Sequence, residues 1–416
     1  MKSIKSTIGN SGVTVTLFLL IFFIHIGAFF LIKEHGLIVD ERFHYAQIVR
    51  FMNFDYKPDP TLPMIPGYHY IISSIGRIFG IEKISYYQGV PYIRFISFLF
   101  NLASIVVFYK IALEVDKRWA IIKTIQFSFV PILFPFFSLL YTDLFSNFVI
   151  LLALLAIYKR AYFLAAFIGS MAILIRQNNL VWLVFFNALI YFREFGYTFS
   201  VSKLKEHLKK TYPFLFGLIL LGISIFINRG LAVGVESKYF VFFTLAHTGN
   251  IFIILFYFFI IFLPIILDSI GDIFKLIVRK KIYLVSIPLL YPIYNFSFVN
   301  SHPLNGNPFF IHNAIPMFFT ANGLHKFFLF LIIVISLFSL FVTRLNQKYY
   351  YSFYLVTFLY LLPLWLIDSR YYTVPFTLFL LFRVMRSVWI EYLAILFFII
   401  LSFYLYYGVW SWKFFL

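Results

Sequence analysis

The chain has 416 residues, of which 62% are hydrophobic, 23% aromatic and 12% charged, a balance no ordinary soluble domain shows. There is no cysteine, which excludes disulfides, thiolate catalysis and cysteine-ligated metals. The formal net charge of +18 is dispersed between apolar runs instead of forming one basic face, so it speaks for membrane topology and anionic lipid and against a nucleic-acid partner.

The apolar runs have helix length, not the roughly 10-residue alternation of a membrane barrel, so the expected fold is an all-α polytopic bundle. The first run, residues 13–32, follows Lys2 and Lys5 and ends in Phe29-Phe30-Leu31-Ile32-Lys33. No small-x-small cleavage site stands there, and the run is expected to stay as an anchor. Residues 33–88 form the longest polar connection. The stretch from Asp40 to Met52 reads as a short helix with Asp40, His44 and Gln47 on one face. Pro58, Pro60, Pro63 and Pro66 interrupt it. Tyr68, Ile71, Ile72, Ile75 and Phe79 then recur at helical spacing up to Gly80, which predicts a second helix lying along the membrane surface.

Twelve further spans are expected at 89–113, 119–140, 143–158, 161–175, 179–192, 211–228, 250–267, 282–299, 326–343, 349–367, 371–385 and 390–409, about thirteen in all. The fourth to sixth are short. No internal repeat or domain boundary is visible, so residues 1–416 read as a single membrane domain. With the amino terminus cytoplasmic, Lys117/Arg118, Lys159/Arg160, the basic 193–210 loop, Lys275/Arg279/Lys280/Lys281, Arg344/Lys348 and Arg383/Arg386 all fall inside, as the positive-inside rule asks. The remaining polar motifs then fall outside: Asp40/Glu41/His44, Tyr141-Thr142-Asp143, Arg176-Gln177-Asn178-Asn179, His247-Thr248-Gly249-Asn250, His302-Pro303 and Asp368-Ser369-Arg370-Tyr371-Tyr372. Ionisable groups at the mouth of a membrane bundle point to function, because desolvating them is costly unless a partner or substrate compensates.

Val39-Asp40-Glu41-Arg42-Phe43-His44-Tyr45-Ala46-Gln47, followed by Thr61-Leu62-Pro63-Met64-Ile65-Pro66-Gly67-Tyr68, resembles the D-E-x-F-H…Q and T-x-P-x-x-P-G-x-Y pattern of the dolichyl-phosphate-glucose-dependent α-1,2-glucosyltransferases. These are GT-C class membrane enzymes. Phe134-Pro135 through Tyr141-Thr142-Asp143 and the segment Arg176-Gln177-Asn178-Asn179-Leu180-Val181-Trp182 are similar to further motifs of that family. Gly230 to Gly234, His247, His302-Pro303, Arg370-Tyr371-Tyr372 and Pro375 follow in family order. Two places depart from it: Leu304-Asn305-Gly306-Asn307-Pro308 leads to His312-Asn313 where an Arg-His pair is usual, and Asn250 stands for a glutamine. Both sit where an acceptor could be read.

The resemblance implies a hexosyltransferase, with glucose the implied sugar. Its donor would be a dolichyl- or polyprenyl-phosphate sugar and its acceptor a lipid-linked oligosaccharide. It would work in the endoplasmic reticulum membrane of a eukaryote or the cell membrane of a prokaryote, with an extracytosolic site. Such chemistry needs a base for the acceptor proton, cations for the departing phosphate and groups shaped to two sugars. Asp40 is the candidate base, with Glu41 as fallback and His44 to orient it or contact sugar. The alternative for Asp40 is a helix cap, although Phe43 three residues on gives no capping box. Arg370, Arg176 and His302 are candidate phosphate ligands; a local pair of Arg370 with Asp368 and a helix-end role for Arg176 are their structural alternatives. Asp143, Gln177, Asn179, His247 and Tyr371 are candidate sugar or acceptor contacts, with an Asp143–Arg176 pair as the structural alternative. His69 and His312 are weaker candidates. His, Asp and Glu are available for a divalent metal, but no H-x-x-x-H or D-x-D spacing calls for one, so metal use stays open, and no other cofactor is implied. The rivals are a lipid flippase or transporter, which would need discontinuous helices and mid-membrane ionisable groups, and other GT-C enzymes such as protein O-mannosyltransferases or aminoarabinose transferases.

Overall fold

A computed structural model describes residues 11–235 and 247–416. Among these residues the architecture is helical throughout, with no strand beyond two isolated bridges. They group into two compact units, Met1–Ser128 with Phe136–Val241, and Phe129–Pro135 with Phe242–Leu416.

In the first unit α1 (Ser11–Ile32) is apolar on every side and leaves Leu19, Leu20 and Phe23 exposed, as a lipid-facing span should. Two short helices follow, α2 (Glu41–Met52) and α3 (Gly67–Ile78). α2 buries His44, Tyr45, Gln47, Ile48 and Phe51, and α3 buries Tyr68, His69 and Ile72 while Ile71, Ile78 and Phe79 stay exposed. Gly80 closes α3 in the left-handed region (φ 70°), which glycine adopts without strain. At the other end, a Cβ on Gly67 would lie 2.5 Å from the Leu174 carbonyl oxygen, so only glycine lets α3 begin there.

α4 (Val90–Asp116) and α5 (Ala120–Ser128) run on through a single tight turn, Lys117–Trp119. The span expected at 119–140 therefore stops at Ser128. Pro131 and Pro135 cannot supply the amide hydrogens that would continue it, and the buried segment after it runs through a turn at 131–134 into the single helical turn Pro135–Phe137. α6 (Thr142–Tyr158), α7 (Tyr162–Ile175) and α8 (Leu180–Phe195) are short apolar helices, as their sequences suggested. α9 (Val201–Thr211) is amphipathic and carries Lys203, Lys205, Lys209 and Lys210; the Ser200 hydroxyl caps it by accepting from the Lys203 amide at 3.2 Å, a common helix start. α10 (Leu215–Asn228) exposes Ile219, Phe226 and Ile227.

In the second unit α11 (Gly249–Ile261) and α12 (Leu263–Arg279) meet at an angle of 99°. The continuous span expected at 250–267 is thus broken at Phe262, where Pro264 restarts the helix in the early position proline favours. α13 (Ile282–Ser297) contains Pro288 and Pro292. α14 (Ile311–Thr320), α15 (Gly323–Val342), α16 (Ser352–Leu361), α17 (Thr373–Phe382) and α18 (Val388–Trp410) complete the unit. Of the described helices, five are long and apolar enough to cross a membrane, or six with the bent pair taken as one. The protein is therefore an all-helical, polytopic membrane protein.

Candidate functional site

The first unit's polar cluster is built around an arginine. Arg94, fully buried near the start of α4, donates from Nε to Glu41 Oε1 at 3.0 Å and from Nη2 to Oε2 at 2.5 Å. It also donates to the carbonyls of Ile32, Lys33, His35 and Gly36 at 2.7–3.2 Å. Glu41 accepts two further backbone amides, Leu140 at 2.7 Å and Ile38 at 2.8 Å. A bidentate guanidinium–carboxylate pair with its remaining valences filled is a setting in which a buried charge pair is tolerated. Here it ties the end of α1 to the start of α2.

Asp40 sits one residue before that anchor. It occupies the N-cap position of α2 but makes no side-chain capping bond, so the capping alternative does not describe it. Its amide donates to the Tyr141 hydroxyl at 3.1 Å, and that hydroxyl donates to the Ile38 carbonyl at 3.2 Å. Val39, just before it, has φ 52°, a conformation in which a β-branched residue is strained. Such strain persists where surrounding contacts over-determine the backbone. One turn on, His44 is buried with Nδ1 2.9 Å from Nε2 of His69, the rings stacked at 5.2 Å. The rings of Tyr68 and Tyr141 pack edge-on against it. Burial, reinforced by the neighbouring His44, holds the His69 imidazole well below its ordinary pKa.

Asp143, in the first turn of α6, pairs with Arg176 at 2.9 Å, and Arg176 Nε donates to the Thr142 hydroxyl at 3.1 Å. The pairing alternative for these two residues is what the structure contains. Gln177 donates to the carbonyls of Pro63 and Leu231 at 2.9 and 2.8 Å. Asn179 donates to the Ser146 hydroxyl and the Ala172 carbonyl, both at 2.7 Å. Gln177 thus pins the proline segment, and Asn179 ties its own turn to α6 and α7. The proline segment is held from a third side, since the amides of Val233 and Gly234 donate to the carbonyls of Pro63 and Leu62 at 3.1 and 3.0 Å. Gln47 belongs to the same scaffold, donating to the Lys57 carbonyl and accepting from the Asp59 amide.

The second unit has its own polar group. Asp368 Oδ1 accepts from the Arg370 amide at 2.9 Å and Oδ2 from the guanidinium at 2.8 and 2.5 Å, so the local pair is present. Burial pushes the Asp368 carboxyl up, but the Arg370 charge, then His312, then the hydrogen bonds from Arg370 outweigh it and hold it well below the carboxylate range. Asn250 donates to the carbonyls of Leu364 and Leu366 and accepts from the Asp368 amide and the Tyr372 hydroxyl. It is a knot holding the 364–372 turn, which is a different use from the acceptor contact its position suggested. Tyr371 lies in the same turn, half-buried. Trp365 stacks on His247 at 5.4 Å and meets His302 edge-on at 4.6 Å. The Nδ1 of His302 accepts from the Leu304 amide at 3.1 Å. In the same unit, α11, α15, α16 and α17 line a half-open apolar cleft of about 240 Å³.

Two residues were not anticipated. Arg94 carried a signal, being the one charged residue between Gly89 and Tyr109, and an ionisable group inside an apolar run asks for a partner. Trp365 had none, since it is one aromatic residue among many. Among the described residues no three His, Asp or Glu side chains gather to hold a metal.

The fold and these two groups define a polytopic membrane protein with carboxylate, imidazole and guanidinium clusters at the ends of its helices. Residues 35–202 match the DIE2/ALG10 family. Over 399 residues, 82% of each chain, the sequence is 21% identical to human "Dol-P-Glc:Glc(2)Man(9)GlcNAc(2)-PP-Dol alpha-1,2-glucosyltransferase". Over 161 residues it is 27% identical to the Arabidopsis thaliana protein of the same name, a match covering 35% of this chain and 32% of that relative. No solved structure matches. These similarities bear out the resemblance read from the motifs: the chain is similar to membrane glycosyltransferases.

Proposed function

We propose that the protein is a glycosyltransferase that moves glucose from a dolichyl- or polyprenyl-phosphate donor to a lipid-linked glycan on the extracytosolic face, inverting the anomeric centre. The observation that carries this reading is that the family match over 35–202 spans Asp40, His44, Arg94, Asp143 and Arg176, all within the first unit. In this reading Asp40 takes the proton of the acceptor hydroxyl. The oxygen attacks C1 of the sugar, the bond from C1 to the phosphate oxygen breaks, and the phosphate leaves with the electron pair on its lipid. A β-linked donor then gives an α-linked product. Both oxygens of Glu41 already accept two hydrogen bonds each, which favours Asp40 over Glu41 as base.

His44 and Asp143 are proposed to face sugar hydroxyls, with Arg176 paired to Asp143 as its counter-charge. Gln177 and Asn179 support that surface from behind. In the second unit Arg370, held by Asp368, is proposed to bind phosphate with His302, while His247 and Tyr371 contact sugar. The thirteen-span topology with the 33–88 segment outside is part of the same proposal. The 99° break at Phe262 is a feature a transporter would share. Its Phe262 ring is packed by Phe258, Phe376, Phe379 and Phe398.

The test is sugar transfer by the purified protein, using radiolabelled polyprenyl-phosphate-glucose and a lipid-linked oligosaccharide acceptor. Asp40→Asn is expected to lose transfer by on the order of 10²–10⁴-fold while still binding donor. Arg370→Ala is expected to weaken donor binding by about tenfold or more. Full activity in Asp40→Asn removes it as base. Transfer by wild type from the mannose donor but not the glucose donor overturns the sugar assignment.

A further inference from the structure

The basic stretch 193–210 does not use its cations alike. Arg193 donates to the carbonyls of Ile157 and Tyr158 at 3.0 and 3.3 Å and lies over the Tyr158 ring. Lys210 pairs with Glu206 at 2.9 Å and with Glu194 at 3.3 Å, and Lys203 donates to the Thr198 hydroxyl. Lys205 and Lys209 are different: both are exposed, and among the described residues neither has an ion pair or a side-chain hydrogen bond. We propose that Lys205 and Lys209 bind the phosphate of an anionic phospholipid headgroup, which makes α9 a lipid-binding element at the membrane surface. The proposal does not depend on the glycosyl-transfer reading.

The rotation of α9 is fixed by its buried side. His207 and Thr211, one turn apart, are buried; His207 Nε2 lies 2.8 Å from Asn187 Oδ1 on α8, and the ring meets Tyr191 edge-on. The adjoining side carries Val201, Leu204 and Leu208 at helical spacing, with Tyr212 in the turn beyond, each of them half or more exposed. Lys205 follows Val201 by four residues and precedes Leu208 by three, so it stands on this apolar stripe, and Lys209 follows one turn later along its edge.

Two like charges one turn apart repel and weaken a helix. The carboxylate between them, Glu206, is drawn to Lys210, so the anion that would relieve the repulsion has to come from outside. The apolar stripe decides what kind of anion it is. A soluble phosphate would leave Val201, Leu204 and Leu208 bare, whereas a phospholipid covers the apolar side chains with its chains and meets the lysines with its headgroup. The position along the chain agrees. Val201–Asn228 is one of the helices apolar enough to cross a membrane, but the turn Tyr212–Phe214 and α10 together rise only about 25 Å, short of the roughly 30 Å hydrocarbon core. The last turns of α9 are thereby drawn to headgroup level.

The test uses the full-length protein in phosphatidylcholine nanodiscs. Because the chain has no cysteine, Tyr212→Cys supplies a single site for a fluorophore beside the two lysines, and its quenching is compared for equal mole fractions of spin-labelled phosphatidylserine and spin-labelled phosphatidylcholine. The serine lipid should quench at severalfold lower mole fraction, since one lysine near an anionic surface is worth roughly a fivefold preference. Adding Lys205→Gln and Lys209→Gln together should bring the two lipids to near equality, with thermal unfolding matched to the parent. Lys203→Gln, which removes a lysine held by Thr198, should leave most of the preference in place. Equal quenching by both lipids in the parent, or a preference that survives the double substitution, overturns the proposal. Quenching by neither lipid overturns it as well and turns this face over to a soluble acidic partner. A preference abolished by inorganic phosphate but not by potassium chloride of equal ionic strength would make the site one for a free anion, which also overturns it.

Discussion

Arg94 shows how much of the candidate site is held by one side chain. Its guanidinium satisfies both oxygens of Glu41 and four backbone carbonyls of the 32–36 segment. Removing it leaves Glu41 charged, fully buried and unpaired, which costs about 3–5 kcal/mol. Arg94→Ala should therefore lower thermal stability in detergent by that order. Arg94→Lys should recover little, because a point charge cannot span two carboxylate oxygens and the carbonyls at once. Asp40 and His44 were legible in the sequence because polar residues stood together next to an apolar run. The Glu41–Arg94 partnership was not, since the two lie 53 residues apart and local spacing carries no information about which distant residue completes a pair. The same limit applies to Asp143 and Arg176, where the sequence offered the pair only as one of two readings.

At the scale of elements, the turn from Asp368 to Tyr372 is the most tightly clasped polar segment of the second unit. Because the folded carboxyl of Asp368 is held below its ordinary value, the clasp is complete above the ordinary carboxylate pKa and is lost only as pH falls through the depressed folded value. Protein incubated in mildly acidic detergent should keep its resistance to cleavage within 364–372. Asp368→Asn should lose that resistance at neutral pH, and a turn equally protected in this variant would show that Arg370 needs no carboxylate to stay in place. Helix positions were readable from apolar runs, and α2, α3 and Gly80 fall where periodicity put them. Helix lengths were harder to read. Pro131 and Pro135 end a run that hydropathy alone continues to residue 140, and Pro264 restarts one that hydropathy reads through Phe262. In both cases composition favoured the membrane while the missing proline amide decided the backbone.

For the whole molecule, the exposed Leu, Ile and Phe of α1, α10 and α18 are surface that only lipid covers. How the chain groups into units was not legible beforehand, since both are built from the same few apolar residue types. The connection among 60–63, 177 and 231–234 shows how the first unit is closed. A Cβ on Gly234 would lie 2.7 Å from the Leu62 carbonyl oxygen and would also crowd that of Pro60; these are backbone atoms that cannot swing aside. Gly234→Ala should therefore release the proline segment, read as faster backbone hydrogen exchange across 58–66, with exchange in α6 unchanged. Unaltered exchange at 58–66 would mean that the segment holds its shape without this strap. The strap lies beyond residue 202, where the match to the family model ends, although the residues it braces lie well inside that match. The brace thus lies outside the segment it serves: a fragment ending at residue 202 would keep Asp40, His44, Asp143 and Arg176 and lose the contacts that keep the neighbouring loop in shape.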